Sequence, residues 1–296
     1  MPYLEEFTLN GEEDGPEEAH SRINQIFTDA PRLRKVCLGG YGLLYFRPPT
    51  FHITTLHLIE TGGYYPYSLF ASLLQSMPSL AFLAIYDGVL CKRRQTTDLL
   101  VRECTVPKLE TLFVTGAMFA VSELLLFLSA PNLRELVIDS AEKSDLNAFY
   151  ANRQSKSPRF SNLQSLAISP NNPSAWSIFR TASGCFPGLK RLVISDTIHE
   201  KEFEEVFGAS SPPLFLELCE LAVTDVHGDT FLSRMDRVLE SRGGNTPWIT
   251  TLYMDTPSLL QIDPSARTWE PYGLNILVER NIWNEQLQRM MNMGGR

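Results

Sequence analysis

One apolar motif returns along the whole chain at a nearly constant interval. It consists of a small or apolar residue, proline, any residue, leucine, two variable residues, leucine, any residue, and a final isoleucine, valine or leucine. Clear copies occupy 1–9, 30–38, 77–85, 106–114, 130–138 and 186–194. Looser copies begin at Ile53, Leu163, Leu218 and Ile249, and a degenerate copy contains Leu274, Ile276 and Val278. A chain built in this way is expected to stack copies of one structural unit.

The spacing of the copies defines the repeat. Their first leucine-type positions are 4, 33, 53, 80, 109, 133, 163, 189, 218, 249 and 274, which gives an average interval of 27 residues. That interval falls within the period of roughly 20–29 residues that is typical of leucine-rich repeats. We therefore predict a single leucine-rich-repeat domain over 1–296, with about ten to eleven repeats.

Each part of the motif has a physical role in such a repeat. The last two apolar positions are two residues apart, so both side chains lie on the same face of a short strand. The proline stops the preceding helix, because it lacks the N–H group that would continue the hydrogen-bond ladder. The predicted fold class is therefore α/β, a leucine-rich-repeat solenoid (horseshoe) with a parallel concave sheet and convex helices.

Helices are predicted between the strands. Apolar stripes follow Pro16, Ser122, Pro173 and Asp229, and residues of these types favour the first positions of helices. The run over 279–296 is predicted to be a C-terminal capping helix, because the last repeat of a solenoid must hide the edge of its core.

Composition restricts the partner and the compartment. The net charge is −8 and the sequence pI is about 5.2, which argues against nucleic acid as a partner because phosphate binding needs a basic face. No apolar stretch is long enough to span a bilayer and the N-terminus does not resemble a signal peptide, so no membrane association is expected. The five cysteines form no CxxC pair, which favours reduced thiols and a cytoplasmic or nuclear location.

No arrangement of residues in the sequence points to catalysis. The glycine-rich segment 39–42 lacks the Gly-Lys-Ser/Thr ending of a phosphate-binding loop. The five histidines form no HExxH motif. The acidic segment 200–205 is more typical of a solvated helix start than of a metal site. We therefore predict no enzyme activity, no catalytic residue, no bound metal and no cofactor.

The outward strand positions contain the candidate binding residues. In each repeat the side chains that alternate with the interior leucines point to the opposite face of the sheet. The residues selected on this basis are Ile59, Phe82, Tyr86, Phe113, Thr115 and Tyr253. The three aromatic residues of this set, Phe82, Tyr86 and Phe113, lie on neighbouring predicted strands. They are expected to lie together in the open on the concave face, as is typical of protein-binding sites. The alternative is that the chain covers them itself, for example with segment 64–67.

The Pro-x-Leu-x-x-Leu-x-Ile/Val lines, joined by variable helical inserts, resemble the fungal F-box/leucine-rich-repeat-like proteins over nearly the whole chain. The resemblance implies a ribonuclease-inhibitor-like solenoid and a protein-interaction role, as the substrate-recognition region of an F-box-type ubiquitin ligase adaptor. In that family an N-terminal F-box binds the cullin-ligase adaptor. No such segment precedes the first repeat at Met1, so that partner is expected only if an F-box lies upstream. The alternative is a stand-alone repeat protein that binds or regulates an unidentified protein.

Overall fold

The computed structural model is a mixed α/β protein in which short parallel strands alternate with helices. It describes residues 3–11, 30–40, 50–59, 67–86, 103–115, 121–152, 159–171, 173–195, 203, 206–207, 214–224, 231, 235, 237–238, 249–255 and 275–278. The strands are β1 (Glu6–Gly11), β2 (Lys35–Gly40), β3 (Thr55–Leu58), β4 (Phe82–Ile85), β5 (Cys104–Thr105), β6 (Thr111–Val114), β7 (Leu128–Ser129), β8 (Glu135–Ala141), β9 (Ser165–Pro170), β10 (Arg191–Ile194), β11 (Glu220–Val223), β12 (Thr251–Met254) and β13 (Asn275–Val278). The helices are α1 (Tyr67–Gln75), α2 (Val121–Phe127), α3 (Asn147–Asn152) and α4 (Ile178–Cys185), with 3-10 helices at Thr50–His52 and Pro173–Ser177.

The chain divides into two compact units. The first contains Met1–Val137 and Ala151–Asn162, and the second contains Ile138–Tyr150 and Leu163–Arg296. In the first unit the strand order is β1-β2-β3-β4-β6, followed by the first residues of β8. In the second unit the remaining residues of β8 are followed by β9-β10-β11-β12-β13. Strands β5 and β7 form a separate two-stranded parallel ladder.

The strands begin where the repeat predicts them. From the copy at position 4 to the copy at 249, each strand starts two residues after the first leucine-type position. Every pairing recorded between described strands is parallel, so the predicted α/β class with a large parallel sheet is confirmed. The last repeat is shifted by one residue. Asn275 pairs with Thr251, which places the first position of this repeat at 273 and not at Leu274. The grouping of all repeats into one domain stays a prediction.

A repeated hydrogen-bond pattern holds the strand starts together. The carbonyl oxygen of Arg34 accepts hydrogen bonds from the N–H groups of Thr54 and Thr55, at 2.8 and 3.0 Å. The carbonyl oxygen of Thr54 accepts in turn from Ala81 and Phe82, both at 2.9 Å. The carbonyl group of one turn residue thus satisfies the N–H group of the first residue of the next strand and that of the residue before it. This pattern aligns neighbouring repeats at a fixed register.

The leucines of the motif form the core. Leu33, Leu80 and Leu109, each the first leucine of its copy, are completely buried. Helices α1 and α2 contribute Phe70 and Phe127, whose rings stack with 5.8 Å between their centroids. Burial of one such side chain contributes about 2 kcal/mol to folding, and the same contribution recurs in successive repeats.

The helix predictions are confirmed where the structure describes them. Helix α2 begins one residue before Ser122, and a 3-10 helix begins at Pro173 and leads directly into α4. After Asp229 the helical and buried residues are Phe231, Met235 and Val238. The predicted helix after Pro16 and the predicted capping helix over 279–296 lie outside the described residues.

A buried arginine links α2 to the small ladder of β5 and β7. The Arg159 side chain is only 7% exposed. Its Nη1 atom donates to the carbonyl oxygens of Leu126 and Leu128, and its Nη2 atom lies 3.2 Å from Oε2 of Glu103. The last carbonyl groups of a helix have no partner within the helix. The guanidinium supplies a donor at this point and so stabilises the end of α2.

We expect the substitution Arg159→Met to lower the free energy of unfolding by about 2 kcal/mol. Methionine fills much of the volume but cannot donate a hydrogen bond, so both carbonyl groups lose this donor. Urea unfolding followed by circular dichroism measures the loss. The control is Lys108→Met, which removes an exposed cation from the same unit and should change stability by less than about 0.5 kcal/mol. Equal stability of the two variants would contradict the role assigned to Arg159.

Candidate functional site

The candidate site lies on the outer face of the sheet, which we define as the face opposite the buried leucines. In the first unit the middle row of this face consists of Cys37, His57, Ala84 and Phe113, which the parallel register aligns on neighbouring strands. All four side chains are buried. Neighbouring strands are only about 4.8 Å apart, so the side chains on both sides of a middle row shield it from solvent.

Four side chains of this face form one group, the aromatic cluster, which consists of His57, Phe82, Tyr86 and Phe113. The ring centroid of His57 lies 5.4 Å from that of Phe82 and 6.2 Å from that of Tyr86. The ring centroid of Tyr86 lies 5.5 Å from that of Phe113. Aromatic pairs attract each other at centroid distances of roughly 4.5–7 Å. The cluster therefore joins three neighbouring repeats into one rigid group on the outer face.

The polar atoms within the aromatic cluster are paired and uncharged. The hydroxyl oxygen of Tyr86 lies 3.4 Å from Nδ1 of His57. Burial, with a smaller contribution from the nearby charge of Lys35, lowers the pKa of His57 to about 4. Burial also raises the pKa of Tyr86 well above its usual value, with a further contribution from Cys37. At neutral pH the imidazole and the phenol are therefore both neutral.

The Cys37 thiol beside His57 does not form an activated nucleophile. Burial raises the pKa of Cys37, although the charge of Lys35 acts in the opposite direction. A cysteine nucleophile requires a lowered pKa, usually from a cationic imidazole. Here the thiol and the imidazole are shifted in the directions that keep both neutral, so the chemistry of this site is that of an apolar contact surface.

The predicted site residues lie on the expected face of the sheet, but their exposure differs from the sequence expectation. Ile59, Phe82 and Tyr86 are half-buried and lie in the same part of the outer face, as expected. Phe113 is only 2% exposed and Thr115 only 8% exposed, so the expectation that three aromatics lie together in the open is wrong at Phe113. Phe113 occupies a middle row, whereas Phe82 and Tyr86 occupy the two flanking rows and are half-buried, although Thr115, in the same row as Tyr86, is buried.

The alternative in which segment 64–67 covers the aromatics can be followed at one described residue, Tyr67. The Tyr67 ring lies against Phe127 of α2, with 5.1 Å between centroids and an angle of 70°. This alternative stays a prediction. Residues 64–66 lie outside the described residues.

Tyr253 lies in the second unit and has its own surroundings on the outer face. The guanidinium carbon of Arg191 lies 4.9 Å from the centroid of the Tyr253 ring, which is within the range of a cation–π contact. Arg191 Nη1 also lies 3.9 Å from Oε2 of Glu220 on the next strand. Leu277, the register partner of Tyr253 on β13, is exposed. This group is thus an amphipathic patch, distinct in chemistry from the aromatic cluster.

His57 was not selected as a site residue from the sequence, although it links Phe82 to Tyr86 in the cluster. The available signal was its position two residues before Ile59 on the same outward face. A histidine in a surface row is usually solvated, and only the aromatic side chains of the next repeat make this one buried.

The described ranges contain neither a candidate metal site nor a candidate membrane-spanning helix. Among those residues, no group of three or more histidines, cysteines, aspartates or glutamates is arranged to hold a metal ion. None of the helices that the structure describes combines the length and the apolar character that crossing a membrane requires.

Sequence comparison with known proteins gives no match, so a function is inferred from the geometry of the site. No protein-family model matches the chain, and no curated protein matches it in sequence.

Proposed function

We propose that this chain is a protein-interaction scaffold, a leucine-rich-repeat solenoid whose outer sheet face is the concave, partner-binding side and whose helices lie on the convex side. The observation that supports the proposal is the aromatic cluster, together with the half-buried side chain of Ile59 beside it. Aromatic side chains in rigid, partly desolvated positions contribute most of the energy of protein–protein contacts. The proposal assigns the chain no catalytic role.

The electrostatic state of the cluster favours a partner with apolar side chains. At neutral pH the partner would desolvate a neutral Tyr86, above a His57 that is buried and also neutral, and not a charged group, which is the more costly case. The fixed ring positions also lower the entropy that is lost on binding. Ile59, Phe82 and Tyr86 are the accessible contacts in this view, while Phe113 supports them from the buried row.

The resemblance to F-box/leucine-rich-repeat-like proteins suggests a specific role for the scaffold. In that role the outer face holds a substrate for ubiquitination, and the cullin-ligase adaptor binds only through an F-box encoded upstream. A stand-alone binding or regulatory protein remains the alternative. Both roles place the protein in the cytoplasm or the nucleus, consistent with described cysteines that form no disulfide bond.

The experiment compares protein capture by the wild type and by the variant Ile59→Ala/Phe82→Ala, with quantification by mass spectrometry. We expect a partner that the wild type retains and the variant loses, with affinity at least about tenfold weaker when both are measured as purified proteins. The matched control is Leu216→Ala, which removes an exposed leucine from a turn in the second unit. Equal affinity of the folded outer-face variant and the wild type would contradict the proposal.

The same experiment separates the two roles. If the chain is part of a ligase, capture with a protein that includes any coding segment upstream of Met1 should recover the cullin-ligase adaptor. Recovery of the outer-face partner without that adaptor would favour the stand-alone protein.

A further inference from the structure

A second surface of the first unit differs from the outer face in its charge. We call it the turn rim. It consists of the turns before β1, β2, β3, β4, β6 and β8, at 3–5, 30–34, 50–54, 77–81, 106–110 and 130–134. Its exposed cations are Arg32, Arg34, Lys108 and Arg134, and its exposed carboxylates are Glu5 and Glu110. The rim is therefore locally positive, although the chain as a whole has a net charge of −8.

Two large aromatic side chains stand on the same rim. Tyr3 is 79% exposed and Phe51 is 71% exposed. The guanidinium carbon of Arg32 lies 5.3 Å from the centroid of the Tyr3 ring. Side chains this exposed gain little from folding, so their place on the rim is not explained by the stability of the fold.

Hydrogen bonds between successive turns hold the side chains of Arg34 and Asn132 in position on the rim. Arg34 Nη1 donates to the carbonyl oxygen of Pro31 at 3.1 Å and to that of His52, in the next turn, at 3.4 Å. Two turns further along, Asn132 Nδ2 donates to the carbonyl oxygen of Pro107 at 2.7 Å. These bonds make the rim a continuous, ordered surface and reduce the side-chain entropy that a ligand would have to remove.

The charges on the rim follow a pattern of cation, apolar centre, cation. Arg32 and Arg34 occupy the turn before β2, whereas Lys108 and Arg134 occupy the turns before β6 and β8. The two turns between them carry Phe51 and Pro78, both exposed, and no arginine, lysine, aspartate or glutamate within 50–54 and 77–81. With strands about 4.8 Å apart, the two cationic ends are separated by about 14–19 Å, the length of about four to six residues of extended peptide.

We infer that the turn rim is a second binding surface, for an extended segment of a partner protein that has acidic residues at both ends and apolar residues in its centre. The acidic ends would pair with the arginines and the lysine, for which guanidinium–carboxylate bonds are geometrically well suited. The apolar centre would contact Phe51 and Pro78. This inference goes beyond the outer-face proposal and does not depend on it, because it uses a different set of residues.

A protein segment fits the pattern better than a nucleic acid. Nucleic acids carry one negative charge per nucleotide and are attracted by continuous basic surfaces. On the rim the cations are interrupted by two uncharged turns, and Glu5 and Glu110 would repel a continuous polyanion. A segment whose carboxylates are confined to its two ends places no charge against the two uncharged turns.

The test uses a fluorescein-labelled peptide of about eight residues with paired glutamates at both ends and phenylalanine, leucine and proline between them. A second peptide has the same composition with the glutamates in the centre, and a labelled single-stranded oligonucleotide is the third probe. Binding is measured by fluorescence anisotropy at low and at high salt. The protein variants are Arg32→Glu/Arg134→Glu and, as a control with the same change in net charge, Lys143→Glu/Arg180→Glu on exposed sites of the second unit.

We expect the first peptide to bind the wild type and the control, and to bind Arg32→Glu/Arg134→Glu at least about tenfold more weakly. High salt should weaken binding, since the pairs are exposed. The rearranged peptide should also bind at least about tenfold more weakly than the first. The inference is overturned if the first peptide does not bind the wild type, if the two peptides bind equally, if the rim variant binds like the control, or if only the oligonucleotide binds.

Discussion

Replacement of Phe113 by alanine is expected to lower the free energy of unfolding by about 3–5 kcal/mol. Phe113 was selected from the sequence as an exposed binding residue, but it is only 2% exposed and its ring contacts Tyr86 at 5.5 Å. Removal of a buried phenyl ring loses its transfer free energy and leaves a cavity, because the strands on both sides cannot close over it. Urea unfolding of the purified chain measures the loss.

The comparison with Phe82→Ala identifies the cause of this loss. Phe82 lies on the same face, in a flanking row, and is only half-buried, so its truncation should destabilise the chain clearly less than Phe113→Ala does. Phe113→Leu, which retains most of the buried volume, should cost less than about 2 kcal/mol. If Phe113→Ala and Phe82→Ala destabilise equally, the distinction between the middle and the flanking rows is wrong.

The positions of the strands were predictable because burial repeats with the sequence. A leucine every 27 residues or so is completely buried in the structure, as Leu33, Leu80 and Leu109 illustrate. The turn before each strand and the parallel direction of the strands follow from this pattern. Prediction was wrong by one residue only at Leu274, in a copy where the sequence has Gly273 in place of the first leucine and Ile276 in place of the second.

The exposure of the outward residues was not predictable in the same way. Phe82 and Phe113 both alternate with interior leucines, and the sequence around each is similar in pattern. What separates them is the row: Phe82 precedes the second leucine of its repeat and lies in a flanking row beside Thr55, whereas Phe113 follows the second leucine and lies in a middle row beside Ala84. The side chains that shield a middle row belong to neighbouring repeats, more than 20 residues away in sequence. Local periodicity specifies the face of a strand but not the neighbours across strands.

The turn rim could not be predicted from the sequence for a different reason. Arg32, Arg34, Lys108 and Arg134 are separated by up to a third of the chain and form no basic run in the sequence. They come together because the same turn recurs in each repeat and the turns are bonded to one another, as Asn132 and Pro107 are. A net charge of −8 argues against a polyanion as the main ligand, but it does not describe how charge is distributed between the turns and the outer face.

A pH dependence of stability in the acidic range is expected from His57. The pKa of His57 is lowered to about 4 in the folded chain, whereas an imidazole in an unfolded chain has a pKa near 6.5. Between pH 6.5 and pH 4 the unfolded chain therefore binds a proton that the folded chain does not. Linkage then requires the free energy of unfolding to fall as the pH is lowered through this window, by about 3 kcal/mol in total. Above pH 6.5 and below pH 4 this group should make no further contribution to the slope.

Two variants separate the contribution of His57 from that of the carboxylates. His57→Gln keeps a polar side chain of similar size but cannot titrate. Between pH 7 and pH 4 the free energy of unfolding of this variant should therefore decrease by about 3 kcal/mol less than that of the wild type. Tyr86→Phe removes the hydroxyl group that faces Nδ1 but keeps the ring that buries the imidazole. Because burial is the main cause of the shift, we expect Tyr86→Phe to keep most of the pH dependence of the wild type. Urea unfolding at intervals of pH measures all three proteins. If His57→Gln follows the wild type throughout, the imidazole is not buried in the fold, and the neutral contact surface proposed for the outer face loses its physical basis.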